Sequence, residues 1–340
     1  MVRIDTLLSR LEARQDLSLE EMEQVLDLML QGQVPQEVIA RLLTLLAEKG
    51  ETADEIAGAA RAMRRHMTPI RSRHPQVLDT CGTGGVGSCL LNVSTASALV
   101  VAASGIPVAK HGNRSVTSKS GSADVLEALG VAIDAPVEVV EQCLDELGIC
   151  FCFAPRLHPA MRHVAAVRRA LGFATIFNLL GPLCNPAGAT RQLLGVGLAQ
   201  RVTTMAEVVR RLGTERTVVV HGTDGIGEVS LAAPTQVLDV QPGGIFASTW
   251  QPADFGLSTA SWESLRVASP QESATRIRQV LAGQPGPARD MVLLNAAAAL
   301  WTAGWSMDLA ACTARAAEAI DQGAAARLLD RWIALSRQGR

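Results

Sequence analysis

Apolar positions follow two different patterns along the chain. In residues 1–67 they recur three or four places apart, which puts them on one face of a helix. The clearest such run contains Met22, Val25, Leu26 and Met29. The segments Ser18–Glu21 and Thr52–Glu55 both read as capping boxes, in which a hydroxyl and a glutamate bind free backbone N–H groups. The pattern predicts a small all-helical domain over residues 1–70.

From Gln76 onward, short apolar runs alternate with helical patterns. Strands are predicted at 77–81, 107–109, 149–153 and 217–221, and helices at 93–103, 122–129 and 137–147. Alternation of this kind predicts an α/β fold with a mostly parallel central sheet covered by helices. After Glu228 the sequence predicts helical packing, with alanine-rich helices at 293–300 and 309–329.

The composition sets limits on function. No apolar run reaches the ~20 residues that a membrane span needs, and the charged start of the chain is unlike a secretory signal. A net charge of −2 argues against a nucleic-acid surface. Seven cysteines without a paired CxxC predict buried thiols in a reducing cytoplasm rather than a zinc site.

Candidate chemistry begins in the glycine-rich segment 79–87, which leads into an apolar helix near Asn92. Glycines let backbone N–H groups approach a ligand, and a helix N-terminus adds positive partial charge, so this segment predicts a phosphate cradle. Residues 80–123 contain no Asp or Glu, although the chain holds 33. Because Lys110, His111 and Arg114 lie in the same stretch, its local field favours an anion.

The glycine spacing Gly82-x-Gly84-x-x-Gly87 formally matches the dinucleotide fingerprint. That fold needs an acidic residue about 20 positions later to hold the ribose hydroxyls, and the first acid here is Asp124. The Walker pattern also fails, because no Gly-Lys-Ser/Thr follows. The residues favour a ligand with more negative charge than NAD.

A second interval without carboxylates covers residues 147–206 and is rich in arginine and histidine. Arg162 and Arg169 are interpreted as parts of a solvated helix face. For Arg168, which precedes the predicted chain reversal at 178–182, a solvated position and a carboxylate-binding role are both open.

The predicted strand at 217–221 leads into a glycine-rich loop that carries Asp224 and Glu228. Carboxylates at a strand end can supply oxygen ligands to Mg²⁺. Asp-Gly is also an ordinary turn sequence. Because the loop follows a strand of the sheet that carries the phosphate cradle, Glu228 is the preferred candidate for metal contact.

Together these segments resemble the anthranilate phosphoribosyltransferase family over almost the whole chain. The matching motifs include Gly82-Thr-Gly-Gly85, Asn92-Val-Ser-Thr95, Lys110-His-Gly-Asn-Arg-Ser115, His158-Pro-Ala-Met161 and Asn178-Leu-Leu-Gly-Pro-Leu183. The resemblance implies transfer of phosphoribosyl from phosphoribosyl pyrophosphate (PRPP) to the amine of anthranilate, with Mg²⁺, in tryptophan biosynthesis. It also implies a cytoplasmic homodimer whose helical domain, joined by a returning segment near 165–190, closes on an α/β domain formed by 75–160 and 191–340.

The resemblance also implies roles for individual residues. The PRPP-binding segments match Gly82, Thr83, Gly84, Gly85, Asn92, Ser94, Thr95, Lys110, His111, Gly112, Asn113, Arg114, Ser115, Ser118 and Ser122. The anthranilate side matches Gly82, Asn113 and Arg168, with His111 and His158 nearby, and the Mg²⁺ ligands match Ser94 and Glu228. No covalent nucleophile is evident.

Three positions depart from the family pattern. Val86 stands where an Asp is usual, Leu90 where a hydroxyl is usual, and Gly227 where an Asp usually precedes the metal-binding Glu. Losing two carboxylates lowers the site's attraction for hard cations, so a reduced, single Mg²⁺ site is expected. Two alternatives stay open: a diverged paralogue that binds an aromatic acid or phosphorylated ligand without this reaction, and a pyrimidine nucleoside phosphorylase.

Overall fold

The computed structural model describes residues 3–84, 90–115 and 120–338. The N-terminal region is helical, as its periodicity predicts. Its helices are α1 (Ile4–Glu12), α2 (Leu19–Leu30), α3 (Gln36–Lys49) and α4 (Ala53–Arg65). Both predicted capping boxes form, with Ser18 accepting a hydrogen bond from the Glu21 amide and Thr52 from the Glu55 amide.

Strands and helices then alternate. In chain order these are β1 (Leu78–Asp79), α5 (Val93–Ala103), β2 (Val108–Gly112), α6 (Ser122–Leu129), α7 (Val137–Leu147), β3 (Ile149–Phe153), α8 (Ala154–Leu157), α9 (Arg162–Leu171), α10 (Phe177–Leu180), β4 (Arg191–Gly195), α11 (Val202–Arg211) and β5 (Arg216–Gly222). The chain continues through β6 (Thr235–Gln241), β7 (Gly244–Trp250), α12 (Pro270–Leu281), α13 (Pro287–Thr302), α14 (Leu309–Asp321) and α15 (Ala324–Ser336).

The strands form one sheet in the order β3-β2-β1-β4-β5-β6-β7. The first five run parallel, and β6 and β7 join antiparallel at one edge. The predicted α/β fold with a mostly parallel sheet behind a helical N-terminal domain is therefore confirmed. Within the described ranges, no helix is long and apolar enough to cross a membrane.

Two expectations about the region after Glu228 are wrong. It begins with β6 and β7 rather than with helices. Strand β7 exposes most of its side chains at the sheet edge, so it lacks the hydrophobic pattern of a buried strand. The helix predicted at 309–329 is also two helices, because Gly323 adopts a left-handed conformation, with φ 70°, between α14 and α15.

Two helices in the larger region, α5 and α13, are buried on nearly all sides. Their sequences are rich in small apolar residues, which let helices and sheet approach closely. They also contact each other, and the Ser97 hydroxyl of α5 donates a hydrogen bond to the Val292 carbonyl of α13 at 3.2 Å. This packed pair fixes the N-terminus of α5 relative to the sheet.

Helices α9 and α10 pack on the N-terminal helices. Helix α9 contacts α2 and α3, and α10 contacts α4. Apolar residues from all these helices share one core with α11 and the adjoining face of the sheet. A segment far along the sequence thus joins the helical region.

A buried carboxylate organises the helical region. The Glu55 side chain is fully buried, and its Oε1 accepts a hydrogen bond from the Leu17 amide at 2.9 Å. Its Oε2 accepts from the Thr52 amide at 2.8 Å and from Lys49 Nζ at 3.0 Å. One side chain therefore ties the loop before α2 to the end of α3 and the start of α4.

We expect the substitution Glu55→Gln to destabilise the protein by about 3 kcal/mol, because it breaks a buried ion pair and leaves Lys49 paired only with the largely exposed Asp16 among the described residues. The NH₂ group of the new glutamine would also face a backbone N–H group, which cannot accept its hydrogen bond. Glu12→Gln, which breaks an exposed pair with Arg41, should cost less than about 0.5 kcal/mol. Urea unfolding of both variants measures the difference, and equal losses would contradict the proposed role of Glu55.

Candidate active site

A cleft opens at the carboxyl ends of the parallel strands. Strand β1 lies between β2 and β4, so the connections leaving β1 and β4 diverge to opposite sides of the sheet. Open α/β sheets bind ligands at such a switch point. The cleft is open to solvent and is lined by the loops that follow β1, β2 and β5 together with the N-terminus of α5.

Ten of the residues to which the sequence assigns a ligand or metal role line this cleft, as do the unusual Leu90 and Gly227. The ten are Gly82, Gly84, Asn92, Ser94, Lys110, His111, Gly112, Asn113, Ser122 and Glu228. Six others do not line it: Thr83, Thr95, Arg114, Ser115, His158 and Arg168. Gly85 and Ser118, and the unusual Val86, lie outside the described residues.

Lys110 is the central cation of the cleft. Its side chain leaves β2 almost fully buried, and its Nζ donates hydrogen bonds to Ser94 Oγ at 3.2 Å and to the Thr80 carbonyl at 3.4 Å. Within the described ranges no carboxylate oxygen lies within 4 Å of this ammonium group. The helix α5 N-terminus adds positive partial charge beside it. The arrangement stabilises an anion.

Glycines allow three loops to touch through their backbones. A Cβ atom on Gly82 would lie 2.7 Å from the Gly195 carbonyl oxygen, and one on Gly195 would lie 1.9 Å from the Gly227 carbonyl oxygen. The Thr83 amide also donates a hydrogen bond to the Gly195 carbonyl at 2.9 Å. The loops after β1, β4 and β5 therefore stack with Gly195 in the middle, and side chains at these positions would separate them.

Glu228 is the only carboxylate that lines the cleft within the described residues. Its side chain makes no hydrogen bond or ion pair with the described part of the chain. Burial raises the pKa of Glu228 to about 7, while the Lys110 ammonium acts in the opposite direction. Such a carboxylate gains stability from any cation brought near it.

The residue before it, Gly227, packs closely against the loop after β4. A Cβ atom there would lie 3.0 Å from the Gly197 nitrogen and 3.2 Å from its Cα. The absence of a side chain thus matches a tight backbone contact, and it leaves Glu228 as the sole acidic residue on this side of the described cleft.

The loop after β2 is held by α6 rather than by ligand-facing charges. The Asp124 carboxylate accepts hydrogen bonds from the Ser115 and Gly121 amides, both at 3.0 Å. Arg114 pairs with Asp124 and Glu127, and these two carboxylates raise the pKa of its guanidinium. Arg114 therefore stabilises the loop that presents Asn113 to the cleft.

Two histidines form a buried pair at one wall. His111 Nδ1 lies 2.6 Å from the Gly181 carbonyl oxygen, so this nitrogen carries the proton. Its Nε2 then accepts a hydrogen bond from His158 Nε2, at 3.1 Å. Burial lowers the pKa of His111 to about 3, helped by the neighbouring His158, and lowers the pKa of His158 to about 4. Both rings are neutral near pH 7.

Arg168 lies just behind the cleft wall. Its guanidinium stands over the Phe177 ring, 5.1 Å from the ring centroid, and Phe177 lines the cleft. Burial lowers the pKa of this guanidinium, and it has no carboxylate partner among the described residues. Arg169, its neighbour in sequence, is exposed.

Sequence reasoning missed the buried residues that support the site. The Ser273 hydroxyl of α12 donates a hydrogen bond to Asn92 Oδ1 at 2.8 Å, and Ser120 donates to the same oxygen at 2.6 Å. The Asn295 carboxamide of α13 binds both backbone groups of Val229, each at 3.0 Å. No local motif marks these residues, because their partners lie far away in sequence.

The neutral histidine pair predicts a loss of stability in acid. The unfolded chain takes up protons below the usual histidine pKa of about 6.5, whereas the folded pair resists them until about pH 4. The free energy of unfolding should therefore fall as pH falls through this window. Between about pH 7.5 and pH 5, the loss should be about 2 kcal/mol smaller in His158→Gln than in the parent protein. Urea unfolding at both pH values measures it, and an identical loss in both proteins would exclude a neutral buried His158.

Comparison with known proteins gives a consistent result. Residues 5–67 match the family model described as the helical bundle domain of a glycosyl transferase family, and residues 74–326 match its a/b domain. The anthranilate phosphoribosyltransferase of Rhodopirellula baltica is 52% identical over 310 residues, which cover 91% of each chain.

Solved structures agree. The anthranilate phosphoribosyltransferase of Thermus thermophilus is 44% identical with a TM-score of 0.91, covering 97% of this chain and 99% of that one. The Saccharomyces cerevisiae enzyme in complex with PRPP and Mg is 27% identical with a TM-score of 0.90, covering 98% and 97%. The match extends over both regions of the fold. The chain belongs to the anthranilate phosphoribosyltransferase family.

Proposed function

We propose that this chain transfers the phosphoribosyl group of PRPP to the amine of anthranilate and releases pyrophosphate, a step of tryptophan biosynthesis. The observation that carries the proposal is the buried Lys110 ammonium. It faces the cleft beside a helix N-terminus and forms no ion pair within 4 Å with a described carboxylate, although its charge acts to lower the pKa values of the buried Asp79 and Glu228. Burying a cation without a direct ion pair is costly, so a site that keeps one is suited to a strongly anionic ligand.

In the reaction the bond between ribose C1 and the pyrophosphate oxygen breaks, and pyrophosphate leaves with the electron pair. A bond forms between C1 and the anthranilate nitrogen, which then loses a proton to solvent. The ribosyl centre carries positive charge in between, so catalysis depends on stabilising the leaving group and aligning a weak nucleophile. No covalent nucleophile is required.

We assign the PRPP side to the loops after β1 and β2 and to the start of α5. Lys110 and the backbone amides near Gly82 stabilise the negative charge of pyrophosphate. Asn92 is held by hydrogen bonds from Ser120 and Ser273, so its position at the helix start is fixed. Gly112 at the end of β2, Asn113 in the loop after it and Ser122 at the start of α6 extend this side of the cleft.

Mg²⁺ fits the oxygen donors on this side. Ser94 and Glu228 line the same cleft, and Glu228 has a raised pKa and no protein partner within the described residues. Mg²⁺ commonly binds proteins through one or two carboxylates plus substrate phosphates, which matches a cleft with one described carboxylate. When bound, the ion neutralises charge on the pyrophosphate. Its protein ligands would be Ser94 and Glu228.

We assign the anthranilate side to Asn113 and Arg168, with His111 and His158 at the wall. The neutral histidines add no charge there, so the cation available to the anthranilate carboxylate is Arg168. Its guanidinium lies behind Phe177. We infer that the helical region, residues 1–70 with 165–190, closes on the α/β region and brings Arg168 to the substrate.

The reaction is tested by mixing the purified protein with PRPP, anthranilate and Mg²⁺ and following anthranilate fluorescence. The signal should fall in a PRPP-dependent and Mg²⁺-dependent manner, and the gene should support growth of a tryptophan auxotroph. A protein that binds PRPP but gives no turnover at any Mg²⁺ concentration would be a binding paralogue. Phosphorolysis of thymidine would instead indicate a nucleoside phosphorylase.

Arg168→Ala should raise the KM for anthranilate about tenfold or more, since hydrogen bonds to charged groups are worth about 1.5–3 kcal/mol. The KM for PRPP should change little. The matched control is Arg169→Ala, which removes an exposed arginine from the same helix. Equal effects of the two substitutions on the KM for anthranilate would refute the assignment of Arg168.

The family membership further leads us to propose a homodimer. Light scattering coupled to size-exclusion chromatography should give twice the chain mass of 35.9 kDa. A monomer mass at micromolar concentration would reject this proposal without affecting the proposed chemistry.

A further inference from the structure

The loop that carries Glu228 has a specific partner on α13. Asn295 is buried, and both ends of its carboxamide bind the residue after Glu228. Its Oδ1 accepts a hydrogen bond from the Val229 amide, and its Nδ2 donates to the Val229 carbonyl, both at 3.0 Å. Nδ2 also donates to the Met291 carbonyl at 3.0 Å, which fixes the side chain against its own helix. The carboxamide thus pairs with one loop residue as a neighbouring strand would.

The other side of the loop is fixed by backbone contact. Gly227 lies against Gly195 and Gly197, where added Cβ atoms would clash with backbone atoms. Glu228 therefore lies between Gly227, which is held by backbone contact, and Val229, which is held by the Asn295 carboxamide. It belongs to neither a helix nor a strand. Its backbone position is determined on both sides.

The hydrogen bonds of Asn295 also connect the loop of Glu228 to the helix pair that carries Ser94. Helix α13 packs against α5, and the Ser97 hydroxyl bonds the Val292 carbonyl between them. Ser94 begins the same helix α5 that Ser97 belongs to. Asn295, Ser94 and Glu228 line one small cavity together with Gly82. The packed helices α5 and α13 therefore support both oxygen donors, Ser94 and Glu228. Asn295 connects this helix pair to the loop of Glu228.

We propose that Asn295 is a positioning residue that holds the Glu228 carboxylate opposite Ser94, so that a divalent cation and a pyrophosphate group can bind between them. This inference rests on the proposed function. With one carboxylate in the described cleft, the cation site has no second acidic residue to compensate for a displaced one. The position of the loop therefore determines the affinity.

The test measures cation binding rather than turnover. Mn²⁺ is titrated into the full-length protein in the presence of pyrophosphate, and free Mn²⁺ is followed by electron paramagnetic resonance. The substitution Asn295→Leu keeps the branched heavy-atom skeleton of the side chain and removes its hydrogen bonds to Val229 and Met291. It should weaken Mn²⁺ binding about 10–100-fold, the usual effect of removing a residue that orients a metal ligand.

The matched control is Thr302→Val on the same helix. Thr302 is buried, and within the described residues its hydroxyl bonds the Ala298 carbonyl of its own helix. This variant removes a buried hydrogen bond from α13 without touching the loop of Glu228, so it should keep the parent Mn²⁺ affinity. A folded Asn295→Leu protein whose Mn²⁺ affinity stays within about twofold of the control would overturn the proposal, since a support residue should cost tenfold or more.

A second variant covers the case in which Asn295→Leu does not fold. Asn295→Ser also loses the paired contacts with Val229 but leaves a small polar group in the buried site. The same 10–100-fold weakening is expected, and parent-like affinity would again overturn the proposal. If the parent protein itself does not bind Mn²⁺ with pyrophosphate, the proposed cation site is wrong. If it binds and the Asn295 variants bind equally well, only the positioning role is wrong.

Discussion

The candidate site depends on direct backbone contact between three loops. Gly82 follows β1, Gly195 ends β4 and Gly227 follows β5. A Cβ atom on Gly82 would collide with the Gly195 carbonyl oxygen, and one on Gly195 with the Gly227 carbonyl oxygen. This contact narrows the switch point of the sheet into a cleft lined by backbone groups. It also places Glu228 next to the cradle, with Lys110 close enough to oppose the rise in its pKa.

The charges around the cleft follow from the two stretches without carboxylates. Lys110 and Arg168 come from different stretches, and within the described chain neither has an acidic partner. His111 comes from the first stretch and His158 from the second, and they meet as a neutral pair, since burial disfavours their protonated forms. Lys110 therefore lines the cleft as its cation, and Arg168 lies behind the Phe177 wall.

Support for the site comes from helices far away in the sequence. Helix α12 supplies Ser273 to Asn92, and α13 supplies Asn295 to the loop of Glu228. Both supporting side chains are buried, so their hydrogen bonds are made in a region of low dielectric, where an unsatisfied group is costly. The apolar C-terminal helices thus have two functions. They fill the core, and they carry single polar residues that fix the ligand-binding loops.

The sequence by itself determined the fold class, the helical N-terminal region with its capping boxes, and most segments of the cleft. These features arise from local periodicity, turn residues and glycine spacing, which act over a few residues. It did not reveal the antiparallel strands β6 and β7. For β7 the reason is that an exposed edge strand lacks the hydrophobic pattern of a buried one. Only the tertiary structure decided that Arg114 pairs with α6, that Arg168 lies behind Phe177, and that Asn295 holds the loop of Glu228. Each of these depends on which residues packing brings together, and the spacing of residues along a chain does not encode those contacts.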